Sequence, residues 1–150
     1  MRQGEIYTAI ISKFPEVKEE SGTGSIIIPK ESLTKIARYL TGQPLSLDNL
    51  HCITAIDRKD KIEVVYIFYS ICERHGLTLK VHLTYDDPNI ASLTDIWRSA
   101  NWLERETYDL MGVNFMGHPD LRRILNPYDW KGYPLRKDYS NPEFKAKPRL

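Results

Sequence analysis

The sequence has little of what usually announces chemistry. Two cysteines, Cys52 and Cys72, and four histidines occur in 150 residues. The pairs His51/Cys52 and Cys72/His75 lack the tight spacing of a zinc finger or ribbon, which argues against a metal site. Their apolar, strand-like surroundings suit free buried thiols instead. No apolar run approaches the roughly 20 residues that span a bilayer, and the opening MRQGEIYTAI has no signal-peptide apolar core. A cytoplasmic or continuous compartment is expected, which still allows membership of a membrane complex held by other subunits. Neither sign of charge dominates: 21 Lys and Arg face 20 Asp and Glu, a net charge of +1, so no global field recommends nucleic acid as partner. There is no glycine-rich phosphate loop, no Ser-His-Asp or Cys-His constellation, no cysteine cluster for an iron–sulfur centre and no internal repeat.

What is present reads as one ordered globular domain. The hydrophobic fraction is 41% and the charged fraction 27%, ordinary values for a chain with a core of its own. Ile6, Ala9, Ile10 and Phe14 share a helical face over Glu5 to Phe14, with Pro15 as the stop. Lys18 to Thr23 reads as a charged loop, followed by a strand over Ser25 to Ile28. Leu33, Ile36, Ala37 and Leu40 then predict an amphipathic helix over Glu31 to Leu40. A right-handed crossover would follow if the flanking strands were parallel neighbours. Leu50 to Asp57 and Lys61 to Ile71 form an expected hairpin. Both alternating sets of the second strand are apolar, which predicts a central strand covered on both faces. Leu77 to Thr84 alternates, Leu77, Leu79, Val81 and Leu83 facing in, with His82 on the wet side. Asp86 to Asn89 leaves the sheet as a polar loop.

Most of the charge lies in the next stretch. A helix is expected from Ser92 to Met111, with Ser92 and Asp95 as a capping box and Gly112 as the left-handed C-cap. On the wheel Leu93, Ile96, Trp97, Ala100, Leu103, Leu110 and Met111 form the inward stripe, and Trp102 points outward with Glu106, Asp109, Arg98 and Arg105 around it. An outward Trp among charges suits either an interface or a cover supplied by the chain's own tail. Glu104 falls inside the apolar stripe, and a buried carboxylate there predicts a cation from the tail, Arg122, Arg123 or Arg136.

From Val113 on, Gly117, Pro119, Pro127, Gly132, Pro134, Pro142 and Pro148 interrupt regular structure, while Phe115, Leu121, Ile124, Leu125, Tyr128, Trp130, Tyr133, Leu135 and Tyr139 supply apolar anchors. Such a tail lies along a surface, and a second subunit buries this much aromatic area most simply. The expected organisation is a domain over 1–112 and an extended tail over 113–150. Its fold class is α+β, a mainly antiparallel sheet of about four strands with packed helices.

The stretch ERETYDLMGVNFMGHPDLRRIL resembles the signature of the 30-kilodalton subunit family of respiratory complex I, NADH:quinone oxidoreductase. Glu104, Arg105, Glu106, Asp109, Leu110, Met111, His118, Arg122 and Ile124 stand at the signature positions. NPYDWKGYPLRKDY, which carries Trp130, Arg136, Lys137 and Asp138, is equally typical, and the likeness extends from about Ile53. The resemblance implies a peripheral subunit of the hydrophilic arm that binds no cofactor, with FMN and iron–sulfur clusters carried by other subunits. Its implied partners are the large quinone-site subunit and adjacent iron–sulfur subunits. The implied location is the cytoplasmic face of the bacterial inner membrane, or the matrix or stromal side in organelles. Related subunits occur in membrane-bound hydrogenases and in ferredoxin-dependent photosynthetic complexes. On this reading Glu104, Glu106 and Asp109 form an ion-pair lattice with Arg122, Arg123 and Arg136. Two readings of other classes stand beside it. One is a free-standing hydrolase using Glu104 and Glu106, although the two diverge around one helix. The other is a nucleic-acid module using Trp130, Tyr133, Arg136 and Lys137.

Overall fold

The computed structural model describes residues 3–20 and 22–141, so Pro142 and Pro148 lie outside the described residues. Helix α1 spans Gln3–Lys13 and strands β1 and β2 span Lys18–Glu20 and Ser25–Ile28. One 3-10 turn at Lys30–Ser32 leads into α2, Leu33–Leu40. Strands β3, β4 and β5 cover Asn49–Asp57, Ile62–Ser70 and His75–Leu83. The short β6, Asn89–Ala91, precedes α3, Ala100–Met111, and β7, Asn114–Met116, follows it.

The main sheet has five strands in the order β1-β2-β5-β4-β3. All neighbours are antiparallel except β2 and β5, so the fold is α+β with a mainly antiparallel sheet. The additional strand is β1, where a charged loop was expected. Its backbone pairs with β2 while its side chains stay largely in water, and no apolar alternation marks such an edge strand. β2 and β3 are not neighbours, because β5 and β4 lie between them, so the expected adjacent crossover does not form. A second sheet of two strands pairs β6 with β7 in parallel, giving the polar exit from the main sheet and the start of the tail a regular structure.

Alternation sorts β5 as expected: Leu77, Leu79, Val81 and Leu83 are buried. They share one core with Val64, Tyr66 and Phe68 of β4, Ile6 and Ile10 of α1, Phe14 just after it, and all four stripe residues of α2. Each such Leu or Ile stabilises the fold by about 1.5–3 kcal/mol. The opposite face of β4 corrects the two-sided expectation. Val65 is buried there, but Ile67 and Tyr69 are 37% and 40% exposed. The rest of that face is polar. Lys80 reaches Glu20 at 2.7 Å and Glu63 at 3.6 Å, while Arg58 and His82 also contact Glu63. Cys52 is half-buried, and Cys72 is exposed rather than buried.

Candidate functional site

Helix α3 lies along the free edge of β3. Thr107 donates its hydroxyl to the carbonyl of Ile53 at 3.3 Å, and Ser99 donates to that of Leu50 at 3.0 Å. The helix begins at Ala100, not Ser92. Residues 92–99 form turns in which Leu93 and Trp97 are buried. The expected capping box therefore fails, because the Ser92 hydroxyl is engaged by Glu104 rather than by a first helical turn. At the other end Gly112 is the left-handed cap, with φ +70°. A Cβ there would come within 2.5 Å of the Tyr133 ring, so the tail itself demands glycine at this position.

Two carboxyls of α3 are fully buried, Glu104 and Asp109. Glu104 sits inside as the wheel predicts, but its expected cation is missing. It accepts hydrogen bonds from the Ser92 hydroxyl and the Leu93 N–H, both at 2.7 Å, and no ion pair reaches it among the described residues. Burial pushes its carboxyl up to about 7, against the smaller lowering by those two donors.

Asp109 overturns the outward placement. Its carboxylate accepts from the backbone N–H groups of Ile124, Leu125 and Asn126 at 3.0, 2.7 and 2.9 Å. It also accepts from the Asn126 side chain at 2.9 Å and from Arg123 at 2.7 Å. Burial alone would raise its pKa, but these donors outweigh burial and hold it well below the usual carboxylate range. Arg105 is buried too, donating to the Arg122 carbonyl at 3.2 Å while its guanidinium lies 4.7 Å from the Trp102 ring centre. The wheel gives the angle of a side chain but not what lies on that side, and here the tail lies there. Trp102 and Glu106, one turn apart, remain exposed, Trp102 at 63%.

The tail is fastened at two further places. Arg136 donates to the Met111 carbonyl at 2.7 Å and to that of Gly112 at 3.3 Å, satisfying helix-end acceptors with a cation where the helix dipole favours one. Its guanidinium lies over Tyr133 and Tyr85. The N–H of Lys137 donates to Asp57 at 2.8 Å. Asp57 also accepts from the Lys59 N–H at 2.7 Å and from the Tyr85 hydroxyl. Burial works to raise the Asp57 pKa, but these donors lower it on balance. The same bond pushes Tyr85 up to about 12. Asp57 carried no signal in the sequence as a tail anchor, because its partner lies 80 residues away.

The remaining expected residues divide. Of the expected lattice, the Asp109–Arg123 pair forms. Arg122 instead pairs with Asp120, both well exposed. His118 joins the Asn101 carbonyl at 3.1 Å through Nε2 and accepts from the Asp120 N–H at 2.9 Å through Nδ1, which selects the neutral Nε2–H form. Trp130 is half-buried, its indole N–H without a partner among the described residues. The Lys137 side chain and Asp138 are exposed. Met116, Leu125, Tyr128 and Leu135 also face solvent, Tyr128 at 90%. The arrangement is thus a clamped strap whose outer side carries exposed apolar side chains among charged ones. Glu104 has no surface a substrate could reach, and Glu106 lies exposed elsewhere, so the two share no cleft.

A model of the respiratory-chain NADH dehydrogenase 30 kDa subunit family matches residues 26–145. An NADH-quinone oxidoreductase subunit of Geotalea uraniireducens is 42% identical over 131 residues, 85% of this chain and 79% of that protein. The equivalent NADH-quinone oxidoreductase subunit of Geobacter sulfurreducens is 44% identical over 128 residues, 83% of this chain and 78% of that one. Among solved structures, the trypsin-resistant fragment (1-134) of Nqo5 superposes with a TM-score of 0.67 at 28% identity, covering 81% of this chain and all of the fragment. A chain of the membrane-bound sulfane sulfur reductase, an archaeal respiratory membrane complex, shares the fold with a TM-score of 0.76 at 24% identity, over 91% of this chain and 85% of that one.

Proposed function

The chain belongs to the respiratory-chain NADH dehydrogenase 30 kDa subunit family, and from that membership we propose that it is a cofactor-free structural subunit of the hydrophilic arm of a proton-pumping NADH:quinone oxidoreductase. In this role the clamped tail is a rigid ledge for the large quinone-site subunit and the adjacent iron–sulfur subunits, the FMN and iron–sulfur clusters being carried by other subunits of the complex. The chain contributes no catalytic group of its own. It sits peripherally on the cytoplasmic face of the membrane through the complex. No helix among the described residues is long and apolar enough to cross a membrane.

One observation carries the reading. A segment rich in proline and glycine is held by charge-assisted bonds to Asp109, Asp57 and the end of α3, yet leaves Met116, Leu125, Tyr128 and Leu135 in water. Ordering a strap costs conformational entropy, and exposed apolar side chains on a preorganised segment are what a partner's surface can bury at small further cost. Trp102, with Arg105 across its ring, extends the same kind of surface onto the helix.

Purification of the tagged full chain from its native membranes in mild detergent tests this. Co-purification with cluster-bearing subunits and quinone reductase activity is the expected result. Recovery of the chain alone would refute the assignment, and recovery with a hydrogenase or a ferredoxin-linked complex would move it to that relative.

A further inference from the structure

Glu104 is used neither by the tail clamp nor by the exposed surface, and its surroundings are unusual for a carboxyl with no exposure. Its two oxygens meet a backbone N–H and a hydroxyl. Oε1 accepts from Leu93 and Oε2 lies 2.7 Å from Ser92 Oγ. Ser92 Oγ in turn lies 2.8 Å from Thr94 Oγ1. Ser92 and Thr94 are both half-buried, and Asp95 beside them is exposed, so the chain of oxygens leads from the sealed carboxyl toward the surface.

Among the described residues, the groups that face Glu104 leave its charge uncompensated. From β4 comes Tyr66, whose hydroxyl is buried without a hydrogen-bond partner among the described residues. Burial first, and the Glu104 charge second, push the ionisation of Tyr66 well above its usual range. On α3 itself, Arg105 turns to Trp102 and the Arg122 carbonyl, and Glu106 points to solvent. From the tail, Arg123 is taken by Asp109 and Arg136 by the helix-end carbonyls.

We propose that Glu104 is an internal proton-binding site that exchanges its proton with solvent through the two-hydroxyl relay Ser92–Thr94. The balance is simple. With Glu104 ionised, Thr94 donates to Ser92 and Ser92 donates to the carboxylate. When a proton enters at Thr94, each hydroxyl passes its own proton inward, Glu104 becomes the acid, and it donates to Ser92, which donates to Thr94. Both states use the same heavy-atom positions, because a hydroxyl both donates and accepts. One proton is gained, and no bond between heavy atoms changes. Burial of the carboxyl places this exchange around neutral pH.

Infrared difference spectroscopy of the full chain labelled with carbon-13 glutamate tests the site, with Glu104→Gln subtracted to isolate one carboxyl. The protonated carbonyl stretch should be present in acid and vanish with a midpoint of about 7. On transfer to heavy water it should shift promptly. Thr94→Val should delay that shift, because the proton then waits for local opening, and Thr94→Ser should restore it. Ser92→Ala should both delay exchange and raise the midpoint, since the carboxylate loses a donor. Absence of a protonated Glu104 band from about pH 5 to about 9 would overturn the site. Equal exchange in Thr94→Val and the unaltered chain would overturn the relay.

Discussion

Two carboxyls five residues apart on α3 are both sealed from solvent and behave in opposite ways. Among the described residues Glu104 has two donors and no cation, and its affinity for a proton rises. Asp109 has five hydrogen bonds, one from Arg123, and stays charged far into acid. Burial raises the proton affinity of both; the donors converging on Asp109, Arg123 among them, outweigh it, and the two on Glu104 do not. The difference also divides the labour of the helix. Its Asp109 end fastens the tail, while its Glu104 end seats the turns at 92–99 and can change charge.

The largest expected effect comes from breaking the Asp109 end. Asp109→Ala strands three backbone N–H groups and takes the carboxylate from the half-buried Arg123, and should destabilise the chain by about 3–5 kcal/mol in denaturant unfolding. The pH dependence should separate the two carboxyls by sign. Asp109, with its depressed pKa, contributes stability that is present above its unfolded value and lost as pH falls through the acid range. Glu104, with its raised pKa, contributes stability that is complete below its unfolded value of 4.5 and lost as pH rises through about 7. Glu104→Gln should accordingly stabilise the chain by roughly 2–3 kcal/mol near pH 8 and hardly at all near pH 4. An unchanged pH profile of unfolding in that variant would show that Glu104 does not titrate as described.

Gly112→Ala tests the junction between the two ends. The left-handed backbone and the Tyr133 ring both oppose a Cβ there, so a loss of about 1–3 kcal/mol is expected, together with release of the tail. Trp102→Ala should be the mildest, within about 0.5–1 kcal/mol in the unfolding of the chain alone. Its loss should appear instead as weaker retention of partner subunits, and a large loss of intrinsic stability would mean that Trp102 has a packing role in its own domain.

Much of the scaffold was legible in the sequence because its signals are local. The period of α2, the alternation of β5, the hairpin of β3 and β4, and Gly112 each follow from neighbours within a few residues. Glu104 could be placed inside from the wheel for the same reason. What escaped depends on distant partners. Asp109 looked outward because its cover comes from residues 123–126. Ser92 looked like a cap because its bond to Glu104 spans 12 positions, across the turns at 92–99 and into α3. β1, β6 and β7 are three residues each, too short for a period to show. The family signature does contain Glu104, Asp109 and Arg122, yet the structure gives each a different task from the single lattice expected of them.

Amide hydrogen exchange of the full chain at Ile124, Leu125 and Asn126 is the most direct test of the clamp. All three amides should be strongly protected in the unaltered protein. They should lose that protection in Asp109→Ala while the amides of β4 stay far better protected than the tail, since the tail is released before the sheet unfolds. Ready exchange at 124–126 in the unaltered protein, or protection that survives the loss of Asp109, would contradict the account.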